Sequence, residues 1–130
     1  MSTLLIRTDF TQPHTWQKLC EAIQTPTEDG FLANVVTIDD PAYRNLTPQQ
    51  VLKRAPTDPQ DRLVAIADST TLSTAELPLL VIDLLEHGTQ LLRVTAAQLW
   101  SIDNNLSLAN MDYEEFTAAA NDDGIFRGFY

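Results

Sequence analysis

Three short apolar runs separated by helical segments constrain this chain more than any other feature. Leu4-Leu5-Ile6-Arg7-Thr8, the segment from Phe31 to Ile38, and Leu63-Val64-Ala65-Ile66-Ala67 carry β-branched residues and give way to aspartate, so each reads as a buried strand. Between the first two, Pro13 suits the first turn of a helix, where its missing N–H is not needed. Trp16, Leu19, Cys20 and Ile23 follow at the spacing that puts them on one helical face, and Pro26 stops the helix. Strand, helix and strand in that order imply a crossover unit.

Thr47-Pro48-Gln49-Gln50 joins an N-cap, a proline at the first helical position and a glutamine at the third. Pro56 and Pro59 limit that helix to about two turns with Val51 and Leu52 inward. After the third strand, Asp68-Ser-Thr-Thr71 reads as a polar loop. Leu79–Leu85 and Gln90–Val94 flank Glu86-His87-Gly88, a hairpin signal with the glycine taking positive φ. Thr95 then caps a short helix carrying Leu99 and Trp100, with Gln98 at its third position. Asp112 with Glu115 three residues on forms a capping box for a helix near 112–121, Phe116 facing inward and Gly124 beyond its end. The expected order is β-α-β-α-β-β-β-α-α over a single domain, residues 1–130. This is an α/β fold, α+β being the alternative, with a mixed sheet of roughly five strands and helices packed on it. Trp16, Trp100 and Phe116 are its expected aromatic anchors.

The composition bounds the function. Hydrophobic residues are 44% of the chain and charged residues 20%, which fits a globular domain and excludes disorder. A single cysteine, Cys20, rules out an internal disulfide framework and a cysteine-based zinc site, and suits a reducing cytoplasm. The apolar run near Leu77–Leu85, broken by Pro78 and Asp83, is too short to span a membrane, so the expectation is a soluble cytoplasmic protein without a membrane role. Eighteen acids against eight Lys and Arg leave a net charge of −10, which disfavours nucleic acid and favours a basic protein as partner. The excess is greatest at the end, where residues 100–130 hold six acids and one base.

Read together, Leu5-Ile-Arg-Thr-Asp-Phe10, Pro78-Leu-Leu-Val-Ile-Asp83, Trp100 with the block Asn104 to Phe116, and Asp123-Gly-Ile-Phe-Arg-Gly-Phe129 resemble an uncharacterised bacterial family. Its members are small, acidic, single-domain proteins of unknown function. The resemblance covers nearly the whole chain and implies no catalytic residues.

Motifs for chemistry are sparse. The four glycines, Gly30, Gly88, Gly124 and Gly128, are scattered, and no dinucleotide-binding, phosphate-loop or serine-hydrolase signature occurs. Asp9, Asp39, Asp40 and Asp68 each fall at or near a strand end, and Asp83 closes a further run. Parallel strands bring such ends to one edge of a sheet, where carboxylates could hold magnesium for phosphatase or nuclease chemistry. Aspartate is also favoured in turns for its backbone hydrogen bonds. His87, without a second histidine near it, reads as a turn residue. Asn104, Asn105 and Asn110, set among Ile102, Leu106, Leu108 and Met111, read as amides that satisfy backbone groups in a partly buried turn. With Asp122 and Asp123 they form a candidate recognition surface. The leading expectation is a non-enzymatic module without cofactor, immunity or antitoxin-like, that masks a basic partner. The alternative is the magnesium-dependent enzyme.

Overall fold

A computed structural model describes residues 3–58, 61–85, 91–108 and 111–129. Six strands form one sheet: β1 (Thr3–Arg7), β2 (Val35–Ile38), β3 (Leu63–Ala67), β4 (Pro78–Asp83), β5 (Leu92–Thr95) and β6 (Ile125–Phe126). Their spatial order is β2-β1-β3-β4-β5-β6. β1 runs parallel to both β2 and β3, β4 is antiparallel to β3 and β5, and β6 is parallel to β5. All five residues of β1 and of β3 are buried, as expected of strands covered on both faces.

Side-chain alternation divides the interior into two cores. Leu5, Leu63, Ala65, Leu79, Val81, Leu92 and Val94 face one layer, built from helix α1 (Pro13–Gln24), α4 (Leu99–Ser107) and α5 (Tyr113–Ala119). Into it project Trp16, Leu19 and Ile23 of α1, Leu99, Ile102 and Leu106 of α4, and Tyr113 and Phe116 of α5. Leu4, Ile6, Val64, Ile66, Leu80 and Ile82 face a thinner layer, a 3₁₀ turn at Pro41–Tyr43 and helix α2 (Pro48–Arg54), with Tyr43 and Val51 as its buried contacts. A fifth short helix, α3 (Ser69–Ser73), links β3 to β4.

Local chemistry sets the ends of these elements. Thr25 and Ala55, the residues just past α1 and α2, are extended at ψ 118° and 137° because each precedes a proline whose ring disfavours the helical conformation. The capping box at Thr47 is present, with Gln50 N–H donating to the Thr47 hydroxyl and Thr47 N–H to the Gln50 amide oxygen. At α5, Asp112 N–H donates to the Glu115 carboxylate at 2.8 Å.

Several expectations are corrected. β2 begins only at Val35, and Phe31, expected in the strand, is 47% exposed in the preceding loop. The segment expected to be a polar loop after β3 forms α3, because Asp68 accepts from the Thr71 N–H and Leu72 is buried behind it. The turn foreseen around Asn104 and Asn105 is the body of α4. There Leu99, Ile102 and Leu106 keep helical spacing, and the two amides donate to carbonyls four residues back, Trp100 O and Ser101 O. Thr95 makes no side-chain cap, and a 3₁₀ turn at Ala96–Gln98 leads into that helix. A sixth strand, β6, closes the sheet and brings Phe126 against Phe116 and Phe129. The 86–88 turn, with His87, and Asn110 lie outside the described residues.

Candidate functional site

From β1 the chain crosses to β2 on one side and then returns past β1 to β3 on the other. The carboxyl ends of β1 and β3 therefore flank the point where the direction of winding reverses, the place where open α/β sheets form ligand crevices. A crevice of ≈ 440 Å³ lies there, its wall contributed by the loop after β1, by Asn45 and Leu46, and by Asp68 with both ends of α3. Of the four strand-end aspartates singled out from sequence, Asp9 and Asp68 line it and Asp39 and Asp40 do not.

Each of the four is engaged. Asp9 accepts from the Thr11 N–H at 2.8 Å, the Thr11 hydroxyl at 2.6 Å and the Gln12 amide at 3.2 Å. Burial alone would raise its pKa, but these bonds together with the Arg7 charge outweigh that and hold it below the ordinary carboxyl range. Asp68 is likewise pushed up by burial and pulled further down by two hydrogen bonds from Arg93, at 2.8 and 3.0 Å, and by the Thr71 N–H. Asp39 pairs with Arg7, whose guanidinium also lies over the rings of Phe10 and Trp16, and Asp40 accepts from the Ala42 N–H. Among the described residues no group of three or more His, Cys, Asp or Glu is gathered closely enough to hold a metal ion. Asp83 is fully buried and takes a forked pair of bonds from Arg62.

The second candidate lies at the other end of the sheet. An open groove of ≈ 690 Å³ runs between α5 and the β5–β6 edge, with Leu91, Leu92, Ala118 and Ala120 along it and Glu114 at its rim. The turn that returns α5 to β6 carries Asp122 and Asp123, and Gly124, at φ +79°, permits it. Arg127, the lone base of residues 100–130, is committed to Glu76 at 2.7 Å and to Asp123 at 2.7 Å. Those bonds, Glu76 first, raise the guanidinium pKa and depress both carboxyls. Glu114 and Asp122 are exposed and have no ion pair among the described residues. Asn104 and Asn105 are half-buried on α4, where their amide nitrogens donate to Trp100 O and Ser101 O, that of Asn104 also reaching Leu32 O at 3.4 Å.

A third hollow, of ≈ 500 Å³, has an apolar wall that sequence reasoning did not anticipate. Phe31 stacks on Trp100 at 4.7 Å between ring centres, so Trp100 is only partly buried and serves as a wall rather than a core anchor. Leu77, a non-glycine residue at φ +53°, also lines it. Cys20 is free and half-buried, and burial, reinforced by Asp39, raises its thiol pKa, as befits a packing residue rather than a nucleophile. Another buried carboxylate, Asp103, accepts from the Thr3 hydroxyl and the Asn34 N–H, a role to which its place among the asparagines gave no clue.

The sheet and its two helical layers define a mixed α/β domain. No helix among the described residues is long and apolar enough to cross a membrane. The chain matches over residues 2–129 the family described as a domain of unknown function, DUF6924, and belongs to it. Among curated proteins, none matches the chain.

Proposed function

We propose that this protein is an interaction module that masks a basic segment of a partner protein, in the manner of an immunity or antitoxin-like protein, using the groove between α5 and the β5–β6 edge. The observation that carries the reading is the charge balance around that groove. Exposed Leu91 and Ala118 line it beside Thr117 and Glu114, and the Asp122–Asp123 turn follows, while Arg127, the one base of residues 100–130, is already paired with two carboxylates. A groove of mixed apolar and polar lining edged by negative charge complements an amphipathic basic segment, and such complementarity speeds encounter and rejects acidic competitors.

The test is affinity purification from the native host with wild type and with a Glu114→Gln/Asp122→Asn double variant, each in low and high salt. The expected result is a basic partner that is recovered in low salt, weakened in high salt, and lost or much reduced with the double variant. Neither substitution touches the core, so both proteins should melt alike. A partner held equally well by the double variant, or no salt-sensitive partner at all, would remove the basis for this assignment.

A further inference from the structure

The crevice at the carboxyl ends of β1 and β3 shares no residue with the acidic groove and carries a separate inference. Its position is where the winding of the sheet reverses, and its ≈ 440 Å³ falls within the range of small-molecule sites. Its lining is polar almost throughout: hydroxyls from Thr8, Thr11, Ser69 and Ser73, amides from Gln12 and Asn45, the carboxylates of Asp9 and Asp68, and Leu46 as the single large apolar residue.

We infer that the crevice binds a neutral polyhydroxylated small molecule of monosaccharide size. Charge disfavours the anionic alternatives, since a phosphate or carboxylate would face the Asp9 carboxylate with no lysine or arginine in the lining. A metal cation is disfavoured because Arg93 already matches the Asp68 charge through two hydrogen bonds, and among the described residues no group of three His, Cys, Asp or Glu gathers to hold one. An apolar ligand would strand the hydroxyls and amides without partners.

What remains is a ligand that donates and accepts at once, as ring hydroxyls do. The groups to meet it are in place. Gln12 bridges the crevice, its amide nitrogen donating to Asp9 at 3.2 Å and to Ser73 Oγ at 3.0 Å, which leaves its carbonyl oxygen to accept. Among the described residues the Asn45 side-chain amide and the Ser69 hydroxyl, both on exposed residues, have no protein partner, and the Asn45 backbone, left-handed at φ +58°, is fixed by its N–H bond to Thr8 O at 2.9 Å.

The experiment is a ¹⁵N–¹H titration of the full chain with D-glucose, D-ribose and myo-inositol, and with inorganic phosphate and putrescine as charged comparators. Saturable shifts of the Thr11, Asn45 and Ser69 amides are expected with at least one neutral probe and with neither charged one. Asn45→Gly, which keeps the left-handed backbone, and Ser69→Ala should each weaken that binding about fivefold, the loss of one neutral hydrogen bond, while leaving the melting temperature unchanged. Absence of saturable shifts up to about 50 mM of every neutral probe would overturn the inference, since a few neutral hydrogen bonds should support millimolar affinity. So would preferential binding of phosphate or putrescine, or variants that bind as wild type does.

Discussion

Asp103 offers the sharpest test of how the layers are joined. Its carboxylate, 4% exposed, accepts from the hydroxyl of Thr3, 1% exposed, at 2.5 Å and from the N–H of Asn34 at 2.9 Å. One side chain on α4 thus holds both the start of β1 and the approach to β2. In Asp103→Ala the Thr3 hydroxyl loses its acceptor inside the protein, at a cost of about 1–3 kcal/mol, whereas the Asn34 N–H belongs to an exposed residue and recovers much of its loss from water. With the departed charge-assisted bonds included, the expected total is about 2–4 kcal/mol, a large share of a typical domain's stability. Asp103→Asn is the control. Its oxygen still accepts from Asn34 and its nitrogen donates to the Thr3 oxygen, the hydroxyl rotating to suit, so it should cost only about 1 kcal/mol. Urea unfolding followed by tryptophan fluorescence gives both values, and unchanged m-values would show that the same surface is exposed. Equal costs for Ala and Asn, or an Ala variant within about 0.5 kcal/mol of wild type, would refute the clamp.

Three further outcomes are expected. Phe116→Ala should lose about 3–5 kcal/mol in the same assay, and Trp100→Ala, half-buried against an exposed Phe31, about 1–3 kcal/mol; the reverse order would contradict their placement. Because the folded Asp68 carboxyl is depressed, its contribution is full above the unfolded pKa of about 4 and is lost as pH falls through the lower folded value. Asp68→Asn, which still caps α3, should therefore flatten the decline of melting temperature below about pH 4, and an unchanged acid limb would show that the Arg93 pair contributes nothing there. Gly124→Ala should cost about 1 kcal/mol from the left-handed backbone alone, since an added Cβ meets nothing within 4 Å; a loss above about 3 kcal/mol would mean the turn is packed more closely than it is.

The strands and caps of this protein are legible in its sequence where one residue type has one physical use. The apolar run of β3 and the Thr47–Gln50 box appear in the structure as read, and the Asp112 start of α5 does too. Elsewhere the same residue serves two ends. Asparagine disfavours helix interiors, so Asn104 and Asn105 obscured an α4 whose apolar stripe, Leu99, Ile102 and Leu106, was present in the letters. Phe31 has strand propensity, but its exposure is decided by Trp100, far away in sequence. Among the aspartates, residue type and position placed all four near strand ends. Which two share a crevice depended on strand order, and which arginine would answer Asp68 depended on β5 lying two strands away. Sequence periodicity contains neither fact.

The sheet's division into parallel and antiparallel pairings also bears on the order in which the chain closes. β3, β4 and β5 are consecutive in sequence and adjacent in space, so their ladder forms through short connections. β1 must wait for α2 and its flanking loops before it meets β3, and β6 must wait for α4 and α5 before it meets β5. Loop-closure entropy therefore makes the β3–β4–β5 meander the unit able to stand earliest. β2 and the two-residue β6, each paired on one side only, should be the first to let go, and native-state hydrogen exchange would show this as faster opening at Val36 and Phe126 than at Ala65 and Val81.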